Sequence, residues 1–209
     1  MMEILEKLMG GSARVKAMRF FLLNPDKITN EKEVSLKTKI SNKSLRKEIN
    51  LFKAIGLIKQ KRISIEVVGK NKRKAKMKRV DGYFLNPEFP YKDALHKLLS
   101  EENTMSRESV LRTLKSAGKI KLLLVSGIFI QQPEARVDIL IVGDNLNRKV
   151  IDNKIKRIES ELGRELTYAV FDTKEFSYRL SMYDKLIREI LDFPHERIVD
   201  LLRPEVSFS

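Results

Sequence analysis

The sequence predicts an α+β protein of two domains, and three observations carry that expectation. The chain has 209 residues, enough for two cores of ordinary size. Its periodicity changes character along its length: helical patterns followed by a hairpin occupy residues 1–90, and strands alternating with helices occupy the rest. The charge divides at the same place, since residues 1–90 hold 22 Lys and Arg against 9 Asp and Glu, a net +13, whereas residues 91–209 hold 20 against 19. The expected division is a first domain over 1–90, a helical connector over 91–117 and a second domain over 118–209.

Composition narrows the class before any element is considered. With 42% hydrophobic residues, 33% charged residues and only nine Gly and six Pro, the chain is expected to be globular rather than disordered. It has no cysteine, which excludes disulfides, thiolate metal sites and zinc fingers. The longest apolar run, from Leu122 to Ile130, is interrupted by Ser126 and Gly127 and falls short of the roughly 20 residues of a membrane span. Met1 to Leu8 carries acidic residues and lacks the apolar stretch of a secretion signal. A soluble, cytoplasmic protein with no membrane partner is the expectation.

In the first domain, Val15, Met18, Phe21 and Leu22 recur at helical spacing behind Ser12, the expected N-cap, and Asn24-Pro25 ends the run. Gly10-Gly11-Ser12 has no strand before it, so it reads as a helix start rather than a phosphate-binding loop. A short second helix fits Glu31 to Lys39, with Val34 and Leu36 as its buried side. Ser41 caps a third helix to about Ile55, whose inner face is Leu45, Ile49 and Phe52 and whose C-cap is Gly56. Its outer face offers Asn42, Lys43, Ser44, Arg46, Lys47 and Asn50, side chains that can bond base edges or phosphates.

From Leu57 to Val68 β-branched residues alternate in part with polar ones, which predicts a strand, and Met77 to Leu85 predicts its return. The turn between them and its flanks concentrate Lys70, Lys72, Arg73, Lys74, Lys76, Lys78 and Arg79 within residues 69–79. A cationic hairpin tip can lie along phosphates or enter a minor groove, because displaced counterions drive it onto a polyanion. Three helices followed by a basic hairpin is the order of a winged helix-turn-helix, whose last helix enters the major groove. The stretches Gly11-Ser12-Ala13-Arg14-Val15-Lys16, Phe20 to Pro25, Ser44 to Ile49, Ile55-Gly56-Leu57-Ile58 and Tyr83-Phe84-Leu85-Asn86-Pro87 resemble winged-helix regulators of the arsenical-resistance repressor type. The resemblance covers residues 9–90 and implies binding of double-stranded DNA as a homodimer. It does not extend to metal sensing, because the chain lacks the cysteine and histidine clusters used for that purpose.

Beyond residue 90, two short helices over Lys92–Leu99 and Ser106–Ser116 are expected to connect the domains and pack on the second. Strands follow at Lys121–Phe129 and Val137–Val142, both too continuously apolar for a sheet edge. A helix over Arg148–Leu162 carries Val150, Ile151, Ile155, Ile158 and Leu162 on one side. A strand over Leu166–Phe171 precedes a mostly helical Thr173–Leu191 that aligns Phe176, Leu180, Tyr183, Ile187 and Leu191.

The pieces Leu122-Leu123-Leu124-Val125-Ser126-Gly127 and Arg136-Val137-Asp138-Ile139-Leu140-Ile141-Val142-Gly143 resemble the core of minimal nucleotidyltransferases of the polymerase-beta-like superfamily. That family places a Gly-Ser turn against triphosphate and an Asp-x-Asp pair on divalent cations. Here the turn is reversed, as Ser126-Gly127, and alignment puts Arg136 on the first aspartate and Asp138 on the second. The later carboxylate has no counterpart within Leu166–Phe171; Glu165 and Asp172 only flank it. One carboxylate cannot assemble a two-metal site, so Ser126, Gly127, Arg136 and Asp138 are read as a degenerate nucleotide site without catalysis, metal or cofactor. Taken alone, Asp138 reads as a strand-end residue held by neighbouring amides. His96 and His195 lie in different segments and form no cluster, and His195 is expected at the surface beyond a helix end.

The functional expectation is therefore a DNA-binding transcriptional regulator, not an enzyme. Its second domain would serve dimerisation or hold a nucleotide or protein partner. Two other readings follow from the second resemblance: an active nucleotidyltransferase of a toxin and antitoxin type, and a nucleotide sensor in which Arg136 replaces the metal.

Overall fold

A computed structural model of the protein describes residues 2–68, 75–101, 107–132 and 134–202. The chain is α+β with two sheets and forms two compact units, Met1–Asn103 with Glu159–Arg164, and Thr104–Ile158 with Glu165–Ser209. No helix among the described residues is long and apolar enough to cross a membrane.

The first unit opens with α1 (Met2–Met9), which has no counterpart among the expected helices, and Leu5 anchors it in the core. Gly10 and Gly11 adopt positive φ and separate it from α2 (Ser12–Leu22). Gly11 occupies the N-cap position without a side-chain bond, so Ser12, expected as the cap, is instead the first helical residue. Val15, Met18, Phe21 and Leu22 are all buried, as their spacing requires. Strand β1 (Thr29–Asn30) leads into α3 (Glu31–Thr38), whose cap is Asn30, accepting from the Glu33 N–H at 3.0 Å. Val34 is buried but Leu36 is exposed, a correction with a simple cause: residues two apart on a helix point roughly 200° from one another and cannot share a face. The helix stops where Lys39 turns left-handed (φ 54).

Helix α4 (Asn42–Ala54) starts as expected on Ser41, whose hydroxyl accepts from the Ser44 N–H. It ends in a Schellman arrangement: Gly56 (φ 78) donates to Lys53 O and Leu57 donates to Phe52 O. Strands β2 (Ile58–Val68) and β3 (Ala75–Leu85) form an antiparallel ribbon in unbroken register from Ile58↔Leu85 to Val68↔Ala75. At about 3.4 Å per residue, its eleven pairs span roughly 35 Å. β1 pairs only with the base of β3, at Tyr83 and Gly82, giving the order β1-β3-β2. Gly82 leaves room there for two isoleucines, since a Cβ would come within 2.9 Å of Ile28 Cγ2 and Ile63 Cδ1 and those side chains would have to shift. Helix α5 (Lys92–Glu101) follows; through Leu95 and Leu99, one turn apart, it packs on this first core rather than on the second, contrary to expectation. The core it joins is centred on Phe21, Leu45, Phe52, Leu57 and Leu85, with the Phe21 and Phe52 rings edge to face at 6.4 Å.

In the second unit, α6 (Arg107–Leu114) and a short 3₁₀ turn lead to β4 (Lys119–Val125), and β5 (Ile139–Asp144), α7 (Arg148–Leu162, of which the part from Glu159 on belongs to the first unit), β6 (Tyr168–Asp172), α8 (Thr173–Ser181), α9 (Lys185–Asp192) and β7 (Glu196–Asp200) complete it. The sheet order is β6-β5-β4-β7; β5 and β6 run parallel and the other neighbours antiparallel. The two most apolar strands, β4 and β5, are its centre. β4 stops at Val125, short of the expected Phe129, because Gly127 (φ 56) turns the chain into a 3₁₀ turn over Gly127–Ile130. The expected helix over Thr173–Leu191 is two helices, broken where Tyr183 adopts φ 53 and Asp184 accepts from the Leu186 and Ile187 N–H groups to start α9. Tyr183, expected on the inner face, is consequently exposed. His195, expected at the surface, is half-buried, with Nδ1 2.8 Å from Phe193 O, just before β7.

Candidate nucleic-acid interface

The buried residues Leu45, Ile49 and Phe52 fix which side of α4 faces out. On that side Asn42, Arg46 and Asn50 stand one turn apart, with Lys43 and Lys47 beside them, and all five are exposed. Ser44 differs: it is half-buried, and its N–H and hydroxyl are both engaged with Ser41 at the cap. The outward face is thus an array of cations and amides on a helix anchored by three apolar residues.

One of these side chains is already oriented. Arg46 donates from Nε to Oε1 of Glu31, the first residue of α3, at 2.7 Å, while its side chain remains 70% exposed. Tyr83 lies in the same electrostatic neighbourhood: burial pushes its hydroxyl above the ordinary tyrosine range, the Asp81 and Glu31 carboxylates add to this, and Arg46 opposes it. Glu31 is absent from the residues singled out by sequence. Fifteen positions separate it from Arg46, and nothing in local spacing brings an N-terminal glutamate of one helix onto the outer face of the next.

The ribbon carries the second group of cations. Lys59, Lys61, Arg62, Lys78 and Arg79 are exposed. Their register puts Lys59, Lys61 and Lys78 on one face with Ile63, Ile65 and Val80, and Arg62 and Arg79 on the other. Lys59 bonds Glu88 at 2.7 Å, which holds that carboxyl below its usual range. Lys70, Lys72, Arg73 and Lys74 lie outside the described residues; Lys76 pairs with Val67 in the ladder, and its side chain lies outside them as well.

In the second unit, Ser126, Gly127 and Asp138 come together and Arg136 turns aside. Asp138 accepts from the Ile128 N–H through Oδ1 at 3.0 Å and from the Thr167 N–H through Oδ2 at 2.8 Å. Its backbone adds bonds to Ser126 and Thr167. A Cβ on Gly127 would collide with Oδ1 of Asp138, so glycine is required by the closeness of the carboxylate as well as by its positive φ. The Ser126 hydroxyl donates to Pro194 O at 2.6 Å. Arg136 is exposed and lies 3.6 Å from Glu189. The arrangement joins the end of β4, the start of β5 and the approach to β6 through one carboxylate. Among the described residues no three His, Asp or Glu side chains converge to hold a metal ion.

At the far end of β5, Asp144 stands 3.1 Å from Lys121. The Thr173 hydroxyl and the Lys121 ammonium hold its carboxyl below the ordinary aspartate range.

Comparison of the chain with protein-family models, with curated proteins and with solved structures finds no match.

Proposed function

We propose that the protein is a cytoplasmic, DNA-binding transcriptional regulator. In this reading α2, α3, α4 and the β2–β3 ribbon act as a winged helix-turn-helix: α4 enters the major groove of double-stranded DNA and the ribbon lies along the phosphates. The observation that carries the reading is the outward face of α4, where Asn42, Lys43, Arg46, Lys47 and Asn50 are exposed opposite a fully buried apolar face. Arg, through two donors, matches guanine O6 and N7, and Asn, through one donor and one acceptor, matches adenine N7 and N6 in that groove. The net +13 of residues 1–90 supports it, since such a charge draws the chain onto a polyanion.

The protein acts as a homodimer, and its second unit is a non-catalytic module for dimerisation or for a nucleotide or protein partner. The engagement of both Asp138 oxygens by backbone amides supports a connecting role for that carboxylate in place of a metal-binding one.

The test is binding to a random duplex library across a salt series, beside a variant with Lys59, Lys61, Lys78 and Arg79 changed to Ala. An enriched motif for the unsubstituted chain is expected. The variant should bind all sequences more weakly, its salt slope shallower by about one for each lost phosphate contact. Equal affinity of the two proteins at every salt concentration would remove the ribbon from the interface, and absence of duplex binding would overturn the function.

A further inference from the structure

The bond between Arg46 and Glu31 says more about the interface than that it is cationic. We infer that Glu31 is a positioning residue that presents Arg46 to a guanine, so that base preference at one position of the DNA site depends on a carboxylate that touches no DNA. The inference rests on the DNA-binding reading above.

The chemistry is that of a guanidinium with two usable edges. Glu31 engages Nε at 2.7 Å, and among the described residues no hydrogen bond occupies Nη1 or Nη2. The carboxylate is the better-sheltered partner, with its side chain 26% exposed against 70% for Arg46, so it acts as the fixed post and the arginine as the arm. Glu31 is itself held in place: it opens α3 directly after the Asn30 cap, where a helix N-terminus favours negative charge. A long arginine free in solvent loses several rotatable bonds on docking, whereas one already braced at Nε loses fewer and keeps its plane. The two remaining NH2 groups offer a pair of parallel donors in the fork geometry that matches O6 and N7 of guanine and no other base edge. Asn42 and Asn50, one turn to either side, are neutral, and Lys43 and Lys47 beside them each present a single ammonium without the planar fork.

A different reading of the same bond is that Glu31 only masks a cation that would otherwise bind phosphate. The two make opposite predictions for Glu31→Gln. If Glu31 braces Arg46, losing the charge costs selectivity at one base position and leaves the number of neutralised phosphates alone. If it masks Arg46, losing the charge strengthens binding to every sequence and steepens the salt dependence.

The experiment uses the full chain and the random duplex library, with the unsubstituted protein, Glu31→Gln, Arg46→Lys, and the double variant, each first checked for native circular dichroism. Glu31→Asp, which keeps the charge on a shorter arm, is carried as a fifth protein in case the glutamine variant fails to fold. Arg46→Lys keeps the positive charge but cannot form the fork, and is expected to abolish a guanine preference at one position. Glu31→Gln is expected to weaken the preference at that same position, by roughly tenfold in the ratio of guanine to other bases, with an unchanged salt slope. The double variant should be no worse there than Arg46→Lys alone. Glu31→Asp should lie between the glutamine variant and the unsubstituted chain at that position. The inference is overturned if Glu31→Gln retains the full guanine preference that Arg46→Lys loses. It is equally overturned if Glu31→Gln binds all sequences more tightly with a steeper slope, or if Arg46→Lys changes no position. Absence of duplex binding by the unsubstituted protein would overturn the DNA-binding reading and this inference together.

Discussion

A single aspartate illustrates how much a side chain's meaning depends on what surrounds it. In the sequence Asp138 can be aligned with a metal ligand; in the fold its two oxygens accept amides from Ile128 and Thr167, which belong to different connections. Removing a half-buried acceptor leaves the Ile128 and Thr167 amides without their partner, so Asp138→Ala should destabilise the protein by about 1–2 kcal/mol in urea unfolding. Duplex affinity of the folded variant should be unchanged, and a loss of affinity without a loss of stability would contradict the connecting role. Asp144 offers a pH-dependent test. Its carboxyl titrates below the ordinary value because of Thr173 and Lys121. A group whose folded pKa is lowered contributes stability that is present above the unfolded pKa and lost as pH falls through the folded one. Carboxyl titration by NMR should therefore give a midpoint below that of a free aspartate, and Lys121→Met should raise it toward that value; no movement would mean the ion pair is not formed in solution.

Among the elements, legibility followed the strength of the local pattern. α7 begins and ends where its apolar stripe does, since Ile151, Ile155, Ile158 and Leu162 are all buried. α4 and the ribbon were equally readable, because a serine cap, a left-handed glycine and a change of period mark their limits. α1 escaped because only eight residues carry it, and two of its large apolar side chains, Ile4 and Leu8, face outward. β7 escaped because Glu196, Arg197 and Asp200 leave only Ile198 and Val199 to suggest a strand, and its membership depends on pairing with β4. The break between α8 and α9 falls on Tyr183, a poor occupant of left-handed backbone, and its cue in the sequence is the next residue, Asp184, a favoured N-cap type. That mismatch is testable: Tyr183→Gly should raise stability by about 0.5–1 kcal/mol in urea unfolding, the side chain being exposed and the glycine free of the Cβ clash. A loss of stability would show that the exposed ring contributes contacts that outweigh the strain.

For the molecule as a whole, the charge division was the most informative property of the sequence, and the candidate interface was legible to the extent that charge and helical period reveal it. The outward cations of α4 could be named in advance; their coupling to Glu31 could not, because it depends on how α3 is set against α4. The same limit applied to Ser126 and Gly127, whose closeness to Asp138 arises from the meeting of strand ends. If the net +13 of residues 1–90 drives association, duplex affinity should fall by about a thousandfold or more between 50 and 200 mM salt, as for a protein making six or more phosphate contacts. A flat salt dependence would leave the excess charge without a nucleic-acid partner.

The ribbon gives that charge a second consequence. In the order β1-β3-β2, the outer edge of β2 has no partner strand among the described residues along its eleven positions. An open edge of that length is a template on which another copy can extend the sheet, and Lys59, Lys61 and Arg62 oppose this by repelling their own kind. The cations proposed to hold DNA thus also guard against fibrous self-association. Neutralising them should lower the protein concentration at which light scattering rises in the absence of DNA, and supplying duplex to the native protein, which screens the same charges, makes crowding of copies along one DNA molecule the condition under which this edge is most exposed to pairing.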